Sequence, residues 1–134
     1  MSVSKQRGKY STRSRPRALD TEVVAQVLKL EAWAYLRGEA WKKQYRHTLI
    51  EEFRKSITSA KKHAVKALDL PMTLKEQKHK NFCYAHADLT EAESHMDLMI
   101  QPEFNIISEK EWCHAAELID EIRVALHKLI NSLG

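Results

Sequence analysis

The sequence predicts an all-α protein, an antiparallel up-down-up-down four-helix bundle preceded by a disordered basic N-terminal tail. The chain has 134 residues, of which 43% are hydrophobic and 30% charged, a balance typical of one soluble globular domain. Its three glycines and three prolines are too few for the many tight turns of a β-sandwich or barrel. Apolar residues instead recur at spacings of three and four along four segments, which is the period of an amphipathic helix.

Residues 1–19 carry six cationic side chains, no acid and almost no large apolar group. This segment offers too little apolar surface to offset the entropy lost on ordering, so it is predicted to be a disordered tail. The helical domain then covers residues 20–134. We expect the cations of the tail to contact nucleic acid, because neutralised phosphates release condensed counterions. These cations are Lys5, Arg7, Lys9, Arg13, Arg15 and Arg17.

The first helix is predicted over about 20–38. Asp20 or Thr21 can act as its N-cap, and Gly38 can end it. The side chains predicted to face the core follow the helical period. They are Val23, Val27, Leu30 and Ala34.

The second helix is predicted to begin at Thr48, which has Glu51 three residues later in the pattern of a capping box. It ends before Pro71, because a proline disfavours a helical residue immediately before it. Several small side chains in its apolar stripe permit close approach of a neighbouring helix. The stripe is Ile50, Phe53, Ile57, Ala60, Ala64 and Ala67.

Two further capping-box patterns, Thr73 with Glu76 and Ser108 with Glu111, are predicted to open the third and fourth helices. Pro102 stops the third helix. The stripe of the third helix is Phe82, Ala85, Leu89, Ala92, Met96 and Met99. The stripe of the fourth is Trp112, Ala115, Ile119, Ile122, Leu126, Leu129 and Leu133.

Short links between the helices predict antiparallel neighbours with shallow crossing angles. Four large rings, those of Trp33, Tyr35, Trp41 and Phe104, fall beside or outside the narrow stripes. A bundle this small is not expected to bury them all, and exposed aromatic groups usually mark an interface. The sequence therefore predicts self-association.

Two Glu-x-x-His pairs, Glu76–His79 and Glu111–His114, have a spacing used by di-metal centres in helical bundles. If the last two helices form an antiparallel hairpin, residue 114 lies level with residue 94. His79 is then about fifteen residues away along the axis, or roughly 22 Å. The two pairs cannot share a metal ion, so no metal site is expected.

The two cysteines, Cys83 and Cys113, are separated along the same hairpin by roughly 18 Å, which is too far for a disulfide. The three dispersed glycines cannot form a phosphate-binding loop, and no nucleophile elbow occurs. The sequence thus predicts a protein without catalytic residues or cofactors. It also lacks an apolar run of about 18 residues and the apolar segment of a signal peptide, so we expect a cytoplasmic protein that does not bind membranes.

Charge is divided unevenly along the chain. Residues 42–80 hold eleven basic and four acidic side chains, whereas residues 88–121 hold ten acidic and one basic. Spacings of seven and four in the second helix predict a basic ridge on the side away from its apolar stripe. The ridge and the cations that precede it are candidate sites for binding nucleic acid or a protein partner. They are Lys42, Lys43, Arg46, Arg54, Lys55, Lys61, Lys62 and Lys66.

Three short segments resemble the accessory variability determinant proteins of diversity-generating retroelements. They are Y-R-H-T-L at 45–49, I-I-S-E-K-E-W at 106–112 and E-L-I-D-E-I at 117–122. That family belongs to a broader group of four-helix bundles that includes the ribosomal intervening-sequence proteins. The resemblance, which extends over residues 44–130, implies a ring of five bundles. It also implies an adaptor that binds an error-prone reverse transcriptase and its template-repeat RNA, or the cDNA, during adenine-directed mutagenic copying.

Two interpretations of the basic ridge remain open at this point. In the first, the protein is a non-enzymatic accessory subunit of a retroelement reverse transcriptase, and the ridge and tail bind RNA. In the second, it is an oligomeric interaction module that binds only protein, similar to the intervening-sequence proteins, and the ridge meets acidic neighbours.

Overall fold

The computed structural model describes residues 21–134, and this part of the chain folds into four α-helices without a strand. We number them α1 to α4; their bounds are Glu22–Gly38, Leu49–Asp69, Lys75–Met99 and Glu109–Ser132. Short 3-10 turns at Lys43–Tyr45 and Met72–Leu74 lie in the first two connections. The all-α fold with four helices is thus confirmed, whereas the predicted tail lies outside the described residues. No helix within 21–134 is apolar over a length that could cross a membrane.

Each helix packs against two others: α1 and α3 both contact α2 and α4. Contacts run in opposite order along α1 and α2, since Glu31 pairs with Lys61 whereas the later Tyr35 contacts the earlier Arg54. These two helices are therefore antiparallel. Hydrogen bonds follow the same reversed order on α3 and α4. They join Asp97 to Trp112 and Glu93 to Arg123.

The core lies where the four stripes meet. Every residue of the predicted stripes of α1, α2 and α3 is buried. On α4 the middle of the stripe is buried, whereas Trp112, Leu129 and Leu133 are half-buried at its two ends. The core also includes apolar residues that the stripes did not contain. These are Val24, Trp41, Ile106, Ile107, Leu118 and Ala125.

The capping box predicted at the start of α4 is confirmed. The hydroxyl of Ser108 accepts a hydrogen bond from the Glu111 N–H at 3.1 Å, and the Ser108 N–H donates to the Glu111 carboxylate at 2.8 Å. Two of the backbone donors at this helix end, which have no partner within the helix, are satisfied in this way.

The other two predicted capping boxes are wrong. Thr48 does precede α2, but its hydroxyl lies 3.4 Å from the Tyr45 carbonyl of the preceding turn and makes no cap hydrogen bond. Thr73 lies inside a 3-10 turn, so α3 begins only at Lys75. In both places a tight turn immediately before the helix takes the threonine away from the extended N-cap geometry.

The four large rings are mostly covered within the chain, which corrects the expectation that they would be left for an interface. Trp41 is only 5% exposed, because the connection after α1 brings it against Phe53, with ring centroids 6.2 Å apart. Trp33 packs edge-on against Trp41 at 5.8 Å. Phe104 is half-buried, and among these rings only Tyr35, at 47%, is well exposed.

Candidate nucleic-acid interface

The predicted basic ridge is divided between two surfaces of α2. Arg54 and Lys61 do not lie on the outer face, because they point along the side of α2 that meets α1. The Lys61 ammonium is 2.7 Å from the Glu31 carboxylate, and only 31% of the lysine side chain is exposed. Its charge is therefore neutralised by a neighbouring helix.

Arg54 closes the C-terminal end of α1. Its guanidinium donates to the Tyr35 carbonyl at 3.0 Å, lies 3.5 Å from the Glu39 carboxylate and sits 4.5 Å from the centroid of the Tyr35 ring. Only 12% of the side chain is exposed. The guanidinium fits there because Gly38 has no side chain, and a Cβ at that position would collide with it. Arg54 is thus a structural residue in this fold.

Three of the six remaining predicted cations among the described residues also have partners. Lys42 donates to the Phe104 carbonyl at 3.0 Å, and Arg46 lies 3.8 Å from Glu39. Lys55 pairs with Glu51 at 3.2 Å, and this hydrogen bond lowers the pKa of the Glu51 carboxyl. Lys43 is exposed and has no ionic partner within residues 21–134.

Lys62 and Lys66 do lie on the outer face of α2, exposed and without an ion pair in the described part of the chain. They are one helical turn apart, so their ammonium groups can reach neighbouring phosphates. The predicted ridge is reduced to this pair. The six cations of the predicted tail lie outside the described residues.

An aromatic pair that the sequence did not single out lies beside these lysines. Tyr84 of α3 is 46% exposed, and its ring centroid is 5.3 Å from that of His63 on α2. His63 Nδ1 is 2.7 Å from Asp88 Oδ2, and the Ser59 hydroxyl donates to the same oxygen at 2.9 Å. Asp88 thereby fixes the imidazole against which the tyrosine packs.

Lys80 completes this surface. Since the Ala67 carbonyl contacts Lys78 whereas His63 contacts Asp88, α2 and α3 run in opposite directions. Lys66 follows His63 by three residues and Lys80 precedes Tyr84 by four, so both lysines lie toward the connection between the two helices. Lys80 is exposed and has no ion pair among residues 21–134. We define the basic–aromatic face by its five side chains: Lys62, His63, Lys66, Lys80 and Tyr84.

The basic–aromatic face combines two means of binding a single-stranded nucleic acid. Lysines neutralise phosphates, and an exposed ring provides a surface on which a base of any identity can stack. The spacing of four between Lys80 and Tyr84 was visible in the sequence. Their position beside Lys66 was not, because it depends on how α2 and α3 are aligned.

Ser59, His63 and Asp88 do not have the geometry of a catalytic triad. In a triad the histidine lies between the serine hydroxyl and the carboxylate. Here the hydroxyl and the imidazole both bond one oxygen of Asp88. The Ser59 hydroxyl also lies 3.4 Å from His63 Nδ1, the ring nitrogen that contacts Asp88, whereas in a triad the hydroxyl and the carboxylate contact different ring nitrogens. These contacts join α2 to α3.

The two Glu-x-x-His pairs lie at different places in the bundle. Glu76 and His79 lie beside the last residues of α4, whereas Glu111 and His114 lie beside Trp33. No group of three metal-ligating side chains occurs among residues 21–134. Both cysteines, Cys83 and Cys113, are exposed and free.

Glu111 is held by two side-chain donors besides its role in the capping box. The Glu111 carboxylate accepts from the Arg37 Nε at 2.7 Å and from the Trp41 indole at 3.1 Å. Burial raises the pKa of this carboxyl, but the hydrogen bonds from the Ser108 N–H, Trp41 and Arg37 outweigh it, so the pKa lies below its ordinary value. Glu111 therefore stays ionised and joins α1 to α4.

Comparison with known proteins adds no assignment. No protein-family model matches the chain, and no curated protein matches it significantly.

Proposed function

We propose that this chain is a non-enzymatic accessory protein of a diversity-generating retroelement. In this proposal it acts in the cytoplasm, binds the error-prone reverse transcriptase and its template-repeat RNA or cDNA, and supports mutagenic copying without a cofactor. The resemblance of residues 44–130 supplies these partners. A four-helix bundle is the fold that the resemblance implies.

The basic–aromatic face carries the nucleic-acid part of the proposal. Among the cations predicted to bind RNA, Lys43, Lys62 and Lys66 combine exposure with the absence of a carboxylate partner within the described residues, and of these Lys62 and Lys66 lie on α2 beside the aromatic pair. Lys80 and Tyr84 add a third charge and a stacking surface. A cation already paired with a carboxylate must lose that partner before it can bind a phosphate, whereas these lysines need not.

The test is a charge reversal of Lys62→Glu with Lys66→Glu, against the control Lys29→Glu with Lys128→Glu. All four lysines are exposed, so both variants should fold, and both change the net charge equally. We expect the first variant to lose co-purification of template RNA with the reverse transcriptase, because like charges across an interface cost several kcal/mol. The control should retain it. Equal RNA recovery with the two folded variants would overturn the role of this face.

Tyr84→Ala tests stacking separately from charge. Base stacking on an aromatic side chain contributes about 1–3 kcal/mol per base. Binding of a single-stranded RNA should therefore weaken by about fivefold or more, with little change in its dependence on salt. A tyrosine that only packs against His63 would leave RNA affinity unchanged.

Self-association, which the resemblance implies as a ring of five, is supported by an apolar stripe on the outer side of α1. Its four exposed residues, Ala25, Leu28, Ala32 and Leu36, follow the helical period, and Leu36 is 76% exposed. The small side chain of Ala32 between two leucines allows a helix of a second copy to approach closely. Exposed apolar groups in one stripe usually mark an interface.

Light scattering tests this part of the proposal. Wild-type protein should have a mass several times 15.6 kDa, and Leu36→Glu should lower it. Val124→Glu, at a residue of α4 that is 55% exposed, is the matched control and should leave the mass unchanged. A wild-type protein that is monomeric at micromolar concentration would contradict the proposal.

The same stripe also favours the second candidate function, an oligomeric module that binds only protein. An oligomer that co-purifies with a protein partner but binds no RNA through Lys62 and Lys66 would select this candidate over the first.

A further inference from the structure

A cleft of about 380 Å³ lies between the end of α1 and the start of α4. It is on the opposite side of the bundle from the basic–aromatic face, which α2 and α3 form. A cleft of this volume is within the range of small-ligand sites. Six residues line it: Trp33, Arg37, Ser108, Lys110, Glu111 and His114.

Aromatic rings form one wall of the cleft. Trp33 is half-buried, and its ring centroid is 5.5 Å from that of His114. Trp33 also packs edge-on against the buried ring of Trp41 at 5.8 Å, so the indole is held in place from behind. A fixed indole surface open to a cleft can stack against a planar ligand with little loss of side-chain entropy.

The charge balance of the cleft is positive. The carboxylate of Glu111 is occupied by Arg37, by the Trp41 indole and by the Ser108 N–H. Lys110 is exposed and has no acidic partner among the described residues. Glu109 lies in the same first turn of α4, but the charged residues that line the cleft are two cations, Arg37 and Lys110, and one acid, Glu111.

We propose that this cleft binds a nucleotide, with its base against Trp33 and its phosphate at Lys110. The indole matches a planar base, and the Lys110 ammonium matches a phosphate. Neither group alone would select this ligand; both line one small cleft. The site is independent of the basic–aromatic face, and the nucleotide is either free or one unit of a single strand.

Calorimetric titration of the full chain with adenosine monophosphate, adenosine and inorganic phosphate tests the proposal. The monophosphate should bind more tightly than either half. Lys110→Glu should weaken binding of the monophosphate by about tenfold or more and leave adenosine binding unchanged, because it reverses only the charge at the phosphate. Trp33→Phe should weaken the binding of both the monophosphate and adenosine, with circular dichroism confirming the fold. Lys128→Glu, at an exposed residue elsewhere on α4, is the control and should change the binding of neither the monophosphate nor adenosine.

A short single-stranded oligonucleotide distinguishes the two sources. A strand that binds more tightly than the monophosphate and competes with it identifies a nucleotide unit of nucleic acid, and equal affinities identify a free nucleotide. No saturable binding of either probe, or binding that Lys110→Glu leaves unchanged, would overturn the proposal. The Lys62→Glu, Lys66→Glu variant should still bind the monophosphate, so failure here is distinct from failure of the proposed RNA interface.

Discussion

Arg54 shows how a cation that looks available in the sequence is used within the fold. It lies seven residues before Lys61, and the spacing placed both on one predicted ridge. In the structure its guanidinium satisfies the Tyr35 carbonyl at the end of α1. A charged donor at the C-terminal end of a helix is favourable both as a cap and through the helix dipole.

Arg54→Ala should therefore lower the free energy of unfolding by about 1.5–3 kcal/mol, typical of removing a charged hydrogen bond, and leave RNA affinity unchanged. Gly38→Ala should have the same direction of effect, because the new methyl group displaces the guanidinium. Urea denaturation measures both, and Lys62→Ala is the exposed control, expected within about 0.5 kcal/mol. If Arg54→Ala left the stability unchanged but reduced RNA binding, Arg54 would belong to the RNA interface.

Glu111 gives a pH dependence with a definite sign. Because its pKa is lowered in the folded state, the carboxyl contributes stability above its ordinary pKa, and this contribution is lost as the pH falls through the lowered value. Denaturation midpoints should fall less steeply with acidification in Glu111→Gln than in the wild type. Glu117→Gln, at an exposed residue of the same helix, should retain the wild-type slope.

At the scale of helices, the starts of α4 and α2 form a natural matched pair. The hydroxyl of Ser108 caps its helix, whereas that of Thr48 makes no cap hydrogen bond. Ser108→Ala should lower the free energy of unfolding by about 1 kcal/mol, and Thr48→Ala should cost much less. Equal losses of stability in thermal denaturation would mean that the two N-termini are capped alike in solution.

The helices and their buried faces could be predicted from the sequence, since apolar residues spaced by three and four indicate which side of each helix is buried. The connections between the helices could not be predicted, because their course depends on short turns that the periodicity does not show. The turn before α3 moves its start past Thr73, and the one after α1 folds Trp41 into the core. Lys78, which lies in a basic run, is only 7% exposed and donates to the Ala67 and Leu70 carbonyls at the end of α2.

The candidate sites were predictable only in part for the same reason. Sequence spacing identifies which residues share a face of one helix, and it placed Lys62 and Lys66 together correctly. Which acid lies across from a lysine depends on the neighbouring helix. Lys61 meets Glu31 and is no longer available to a partner, whereas Lys66 lies beside the ring pair of His63 and Tyr84. The cleft beside Trp33 forms where α1 and α4, which are far apart in the sequence, come together.

At the scale of the whole molecule, deletion of residues 1–19 separates folding from nucleic-acid binding. The core is made by residues 23–126, so the melting temperature should stay nearly the same. RNA affinity should fall, and its logarithmic dependence on salt should weaken by roughly 0.7 for each phosphate that the tail would otherwise neutralise. A deletion that unfolds the bundle would show that the segment is structural.

The α2–α3 pair has a consequence for the order in which the molecule assembles. A five-residue link joins these helices, and they share the most extensive interface in the bundle. Contacts close in sequence cost little loop-closure entropy and form early. Arg37 and Glu111 are 74 residues apart, so α1 and α4 would meet last. During synthesis on the ribosome, the basic–aromatic face would be complete once α3 has emerged, whereas the cleft beside Trp33 must wait for the final helix.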